Sequence, residues 1–253
     1  PLLDEYIEIQ FPKNLNLTTL NYYITNFLDN TRMFIKTPNV VEVGKKHFSC
    51  QKMDSVELEH HGGLGSAFSH WSKKILNTDF MIADSYGENF ISNFTLALFE
   101  DSGWYKVDYS KSEDIFWGKN QGCKFLKEKC IVKKEEKNNF FLKKNNKNNK
   151  NLIPDTNFKK EFCINRQEEL CSISKIFRGF CGIKKFENVF ATEQYQYFDD
   201  PNISGLSEFG DFCPYPVEWS DSKTYLPIGS CRNGVKLREE YDEKICENCR
   251  CFE

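Results

Sequence analysis

VELEHHGGLGSAFSHWSKKILNTDFM, residues Val56 to Met81, decides how the rest of this chain is read. It holds His60, His61 and His70, three of the four histidines. His47 lies just upstream, and no histidine occurs in the 183 residues after His70. Two acids and two histidines lead into a Gly-Gly turn. A run of small residues then delivers His70, with Trp71 behind it and Met81 eleven residues on. Histidine is the commonest protein ligand for transition metals, so chemistry is sought here first.

Taken alone, the stretch is a poor metal site. A catalytic zinc takes three protein ligands and one open position for water, with a carboxylate base within reach of that water. The compact solution is His-Glu-x-x-His on one helix, where i and i+4 share a face. The chain contains no such motif. His60 and His61 are adjacent and are not expected to converge as a helical i, i+4 pair does. A lone histidine after a glycine-rich loop is more often structural than ligating.

Working outward, Thr37-Pro38 reads as a helix start, Thr as the N-cap whose hydroxyl takes an orphan N–H and Pro at N1. Val40, Val41, Val43, His47 and Phe48 supply its buried stripe, which makes His47 a packed core residue. Leu17 to Phe27 reads as a short helix and Tyr6 to Phe11 as a short strand. Val56 to Ser69 is a loop by composition. A second helix is expected over Asn89 to Asp101, with Phe90, Phe94, Ala97 and Leu98 on one face and Gly103 as its left-handed stop. Trp104 to Tyr109 reads as a strand or an extended segment.

Lys133 to Asn151 is low in complexity, with seven Lys, two Glu, seven Asn and three hydrophobic residues. Too little apolar surface is present to order it, so it reads as a solvated insertion rather than a nucleic-acid patch. The net charge of −3 gives no global reason to expect nucleic acid or an anionic membrane. No apolar run reaches the length of a membrane span.

Eleven cysteines at irregular spacing, ten of them from Cys123 onward, point to an oxidising compartment. Sequons at Asn16, Asn93 and Asn202 fit a secretory route. Cys246-Glu-Asn-Cys249 has no second pair at zinc-ribbon spacing and reads as disulfide chemistry. An odd number leaves one thiol free or paired outside this sequence.

Several motifs in order resemble the leishmanolysin family of zinc metalloendopeptidases, which are metzincins. They are Cys50, Glu57-Leu58-Glu59, Gly62-Gly63-Leu64-Gly65-Ser66-Ala67, Ser69-His70-Trp71 and Phe80-Met81. Leu96 to Tyr105, Asp108-Tyr109-Ser110-Lys111, Trp117 to Cys123, Tyr195 to Pro201 and Asp211-Phe212-Cys213-Pro214 continue the likeness. The resemblance covers roughly residues 37–231. It implies Zn²⁺ as cofactor, His70 as the third zinc ligand and Met81 as the Met-turn residue flooring the metal. It also implies disulfides Cys50–Cys123, Cys130–Cys213 and Cys163–Cys181, leaving Cys171, Cys231, Cys246, Cys249 and Cys251 unassigned. The His-Glu-x-x-His helix is expected upstream of Pro1, so no catalytic residue is assigned within this chain. His60 and His61 stand where the family has polar residues such as Asp-Gln, and read as neutral replacements.

The expected fold is α+β. Residues 1–127 form the downstream half of a metzincin-like catalytic domain, helix-rich to about Cys123. Residues 128–253 form a Cys-rich domain of loops and short strands, carrying the 133–151 insertion. The implied function is extracellular or cell-surface proteolysis of proteins or peptides, with this fragment inactive alone. The alternative is a catalytically degenerate surface adhesion or binding protein.

Overall fold

The computed structural model describes residues 5–8, 21–27, 30–85, 89–135, 152–174, 178–187 and 193–218. Three strands open the chain: β1 (Glu5–Glu8), β2 (Asn21–Phe27) and β3 (Asn30–Ile35). Helix α1 (Pro38–Phe48) follows, then β4 (Val56–Glu57), which completes an antiparallel sheet in the order β1-β2-β3-β4. Two expectations are corrected here. Asn21 to Phe27 is a strand and not a helix. Its Tyr-Tyr-Ile-Thr run is aromatic and β-branched, and it pairs on both edges, Tyr23 opposite Tyr6 and Phe34. Val56-Glu57, expected as loop, pairs with Phe34-Ile35.

Beyond this sheet lie α2 (Lys73–Leu76), α3 (Asn93–Asp101) and α4 (Cys123–Lys127). Helix α3 starts four residues later than expected, because the Ser92 hydroxyl accepts from Phe94 N and so fixes the N-cap. Gly103, with φ 71°, turns the chain away after its C-terminus. Residues 104–108 carry no regular strand.

The remaining strands are short. β5 (Val132–Glu135) pairs with β6 (Leu152–Asp155), closing the base of the Lys/Asn insertion, whose residues 136–151 lie outside the described ones. β7 (Glu169–Cys171), β8 (Arg178–Cys181), β9 (Ile183–Lys185), β10 (Ile203–Gly205) and β11 (Pro216–Glu218) form a three-stranded sheet, β11-β8-β7, and a pair, β10-β9. The molecule is thus a mixed helix-and-sheet structure. Its N-terminal part is sheet as much as helix.

The main apolar core runs from Ile35 to Val217 and includes Trp71, Phe94, Trp117, Phe125, Phe162 and Tyr215, with a smaller cluster at Cys163, Cys181 and Ile183. Helices α1 and α3 meet through Gly44 and Phe48 against Phe94. His47 lies edge-on to Phe48 and Phe94 and its Nε2–H donates to the Trp117 carbonyl at 2.7 Å. Burial pushes its imidazole below the ordinary histidine value. Disulfides join Cys50 to Cys123, Cys130 to Cys213 and Cys163 to Cys181, and Cys171 is also disulfide-bonded. Cys231, Cys246, Cys249 and Cys251 lie outside the described residues.

The start of α1 corrects a further expectation. The Thr37 hydroxyl makes no capping bond and is buried without a hydrogen-bond partner. Instead Asp101, the last residue of α3, accepts from Asn39 N at 3.2 Å and Val40 N at 3.0 Å. A carboxylate brought by another helix satisfies the orphan N–H groups and complements the positive helix end. Asp101→Ala should therefore cost about 1–2 kcal/mol in urea unfolding, while Thr37→Val should cost far less. Equal losses would show that the cap belongs to Thr37.

Candidate metal centre

The Val56–Met81 stretch is built as a small ladder on the edge of β3. Leu58 N donates to Met33 O at 2.8 Å, and Leu58 pairs with Trp71 in an antiparallel bridge. Glu59 N donates to His70 O at 2.8 Å, and Phe68 N returns to Glu59 O at 2.7 Å. The connecting turn begins at Gly62 and Gly63, both at positive φ (79° and 61°). A Cβ at Gly62 would also lie 2.5 Å from the Phe209 ring, so the turn closes only with glycine there.

His70 sits partly exposed where this ladder ends. Its Nδ1 is 3.1 Å from Ser66 O and 2.9 Å from Ser69 Oγ. Nδ1–H donation to that carbonyl leaves Nε2 with its lone pair, the orientation metal-bound imidazoles adopt. The next residue ties His70 to the turn at Met81: Trp71 N donates to Met81 O at 2.9 Å. Trp71 itself is fully buried, and its indole N–H donates to Thr95 Oγ1 at 3.0 Å.

Asp79 organises this turn. It is fully buried and accepts from Met81 N (2.7 Å), Thr95 Oγ1 (2.7 Å) and Ser92 Oγ. Burial pushes its carboxyl above the ordinary value, against the pull of these donors. Lys73, also fully buried, donates to Asp84 Oδ1 at 2.7 Å, and Ser207 Oγ donates to Asp84 Oδ2 at 2.7 Å. Neither Asp79 nor Lys73 stands out in the sequence, because each gains its partners only through the fold.

The acidic residues before the glycines have distinct roles. The Glu59 side chain is fully buried, and one oxygen accepts from both His60 N (2.9 Å) and His61 N (3.0 Å). Burial pushes this carboxyl up to about 8, opposed by the N–H donors of His61, Lys73 and His60. Glu57 pairs with Arg32. Arg32 also lies 3.5 Å from Asp211 Oδ2, and Lys74 lies 3.7 Å from the same oxygen.

His60 and His61, read from the sequence as neutral replacements, turn inward. Their side chains retain 3% and 17% of their exposure, and their ring centroids are 4.1 Å apart. Against expectation, the adjacent pair converges. Wrapping both backbone N–H groups around one Glu59 oxygen folds the dipeptide so that both Nε2 atoms reach Asp211 Oδ1, at 3.4 and 3.6 Å. Tyr195 Oη is 3.1 Å from His60 Nε2, and Tyr197 Oη donates to Asp211 O at 2.8 Å. Burial pushes His60 down to about 3, so it is neutral at neutral pH. Among the described residues, the one cluster of three side chains with ligand atoms close enough for a metal is His60, His61 and Asp211, not one containing His70.

The sequence motifs Glu57–Gly63, Tyr195–Pro201 and Asp211–Pro214 thus meet around one buried polar centre beside the histidine ladder. Residues 14–253 match the family model for leishmanolysin. The chain belongs to the leishmanolysin family. A leishmanolysin homolog from Crithidia fasciculata is 33% identical over 220 residues, covering 85% of this chain and 29% of that protein. Leishmanolysin from Leishmania major is 28% identical over 221 residues, covering 81% and 32%. A leishmanolysin-like peptidase from Drosophila pseudoobscura pseudoobscura is 29% identical over 223 residues, covering 86% and 32%. The chain therefore spans about a third of the length of these leishmanolysin relatives.

Proposed function

We propose that this chain forms the downstream wall of a leishmanolysin-type zinc endopeptidase site, with His70 supplying one zinc ligand and Met81 the apolar floor. The observation that carries this reading is the coupling of the two residues. His70 is oriented by Ser66 O, and the amide of the adjacent Trp71 is bonded to Met81 O. The donor set fits a metal as far as it goes, since a half-exposed imidazole with Nδ1 anchored keeps Nε2 available. The other two ligands and the carboxylate base are not supplied by any His-Glu-x-x-His in this sequence. Zinc in such a site polarises a carbonyl and acidifies its bound water. What these residues contribute is an oriented imidazole and a fixed wall under it.

Protein or peptide substrates and an extracellular or cell-surface location follow from the same reading. The disulfides, Cys50–Cys123, Cys130–Cys213 and Cys163–Cys181 among them, support an oxidising compartment. Among the described residues, no helix is long and apolar enough to cross a membrane. We further propose that residues 1–127 form the catalytic side and residues 128–253 the Cys-rich support. The core they share suits one acting as a wall for the other.

The test is cleavage of a fluorogenic peptide, with and without a chelator. The 253-residue chain alone should show no chelator-sensitive turnover. A longer product of the same gene that carries His-Glu-x-x-His should show it, and His70→Ala should lower kcat/KM at least about 100-fold there. Undiminished turnover in His70→Ala would remove His70 from the site. A gene without the motif upstream would instead favour the non-enzymatic adhesion reading.

A further inference from the structure

His60, His61 and Asp211 form a polar centre that the peptidase reading does not use. Their three ligand atoms all lie within 4.8 Å of one another. His61 Nε2 and Asp211 Oδ1 are buried without a hydrogen-bond partner and stand 3.6 Å apart. His60 Nε2 is 3.4 Å from the same oxygen. A metal with bonds of about 2.0–2.1 Å in tetrahedral geometry holds its ligand atoms roughly 3.3 Å apart. The two imidazole-to-carboxylate separations are therefore close to those of a first coordination sphere.

Asp211 Oδ1 is the carboxylate oxygen that faces the imidazoles. Arg32 and Lys74 both face Oδ2, at 3.5 and 3.7 Å, and leave the other oxygen to the imidazoles. Arg32 is already paired with Glu57. His60 Nδ1 faces Glu57 and Glu59, each carboxylate at 3.9 Å. His60 Nδ1 makes no hydrogen bond on that side, and Nε2 is the atom aimed at Asp211. Imidazole with carboxylate is a donor set suited to zinc and similar transition metals.

We propose that His60, His61 and Asp211 bind one transition-metal ion, Zn²⁺ by donor chemistry, at a structural site separate from His70. The ion clips the Glu57–Gly63 ladder to the 207–213 turn, segments about 150 residues apart in sequence. Tyr195, whose hydroxyl lies 3.1 Å from His60 Nε2, would give up that contact on ligation. The proposal does not depend on the peptidase reading, because it needs neither His70 nor an upstream helix.

The test is titration of the metal-free 253-residue chain with Co²⁺, and with Zn²⁺ in competition. One equivalent of Co²⁺ should bind and give the visible ligand-field bands of a four-coordinate site. His61→Asn and Asp211→Asn should each weaken binding at least about 100-fold, the upper end of what losing an outer-shell partner alone costs. His70→Ala should leave the affinity within about threefold of wild type. Should either variant fold poorly, zinc-edge X-ray absorption on the wild-type chain decides, with two imidazoles and one carboxylate oxygen expected at about 2.0–2.1 Å. Failure to bind an equivalent of cobalt, wild-type affinity in His61→Asn, or loss confined to His70→Ala would each overturn the proposal.

Discussion

Asp79→Ala should destabilise the chain by about 3–5 kcal/mol, measured by urea unfolding followed by tryptophan fluorescence. The carboxylate is fully buried and accepts from one backbone amide and two hydroxyls, on Met81, Ser92 and Thr95. Truncation strands those donors without water, and each stranded donor costs about 1–3 kcal/mol. Thr95 Oγ1 in turn accepts from the Trp71 indole, so the emission of that buried ring should shift as its partner loosens. Asp79→Asn keeps the volume and part of the acceptor set, and should cost less than half as much. A loss under about 1 kcal/mol in the alanine variant would mean that the turn is held by packing of Trp71 and Phe90 alone.

Removing the Cys130–Cys213 disulfide as a double serine variant should cost about 4–5 kcal/mol. The bond closes a separation of 83 residues, and the chain-entropy relation gives that magnitude for so long a loop. Both cysteines are buried, so serine also places two hydroxyls in an apolar setting. By contrast, Cys163–Cys181 closes 18 residues, and its removal should cost about 3 kcal/mol. Differential scanning calorimetry under one buffer tests the order. If the shorter loop proved the more costly, strain or residual structure would outweigh loop entropy here.

Legibility in the sequence followed the range of the interactions. Helix α1 was readable from Thr37-Pro38 and the valine stripe, and α3 from its apolar face and Gly103, because those signals are local. The cap on α1 was not, since Asp101 lies about 60 residues away in sequence from the amides it satisfies. The Asn21–Phe27 segment was misread because its apolar spacing fits a helix, whereas its aromatic and β-branched content fits a strand, and pairing on both edges decided the matter. Motif resemblance singles out His70 and Met81, and the fold bonds the residue after His70 to Met81. The His60–His61–Asp211 centre was not legible, for two reasons. Asp211 lies far along the chain, and the convergence of adjacent histidines depends on Glu59 gathering both of their amides. Buried charge offers no local signature; Lys73, Asp79 and Arg32 look like ordinary surface residues until the fold encloses them.

The hairpin base formed by Val132–Glu135 and Leu152–Asp155 has a consequence for engineering. Its paired strands bring the ends of the Lys/Asn stretch side by side, so the rest of the molecule is insensitive to how much chain runs between them. Doubling such a connection adds only about 0.6 kcal/mol of closure entropy. The stretch is therefore the natural place to graft an affinity tag or a fluorescent reporter, or to delete residues for crystallisation. Each such edit should leave the melting temperature nearly unchanged.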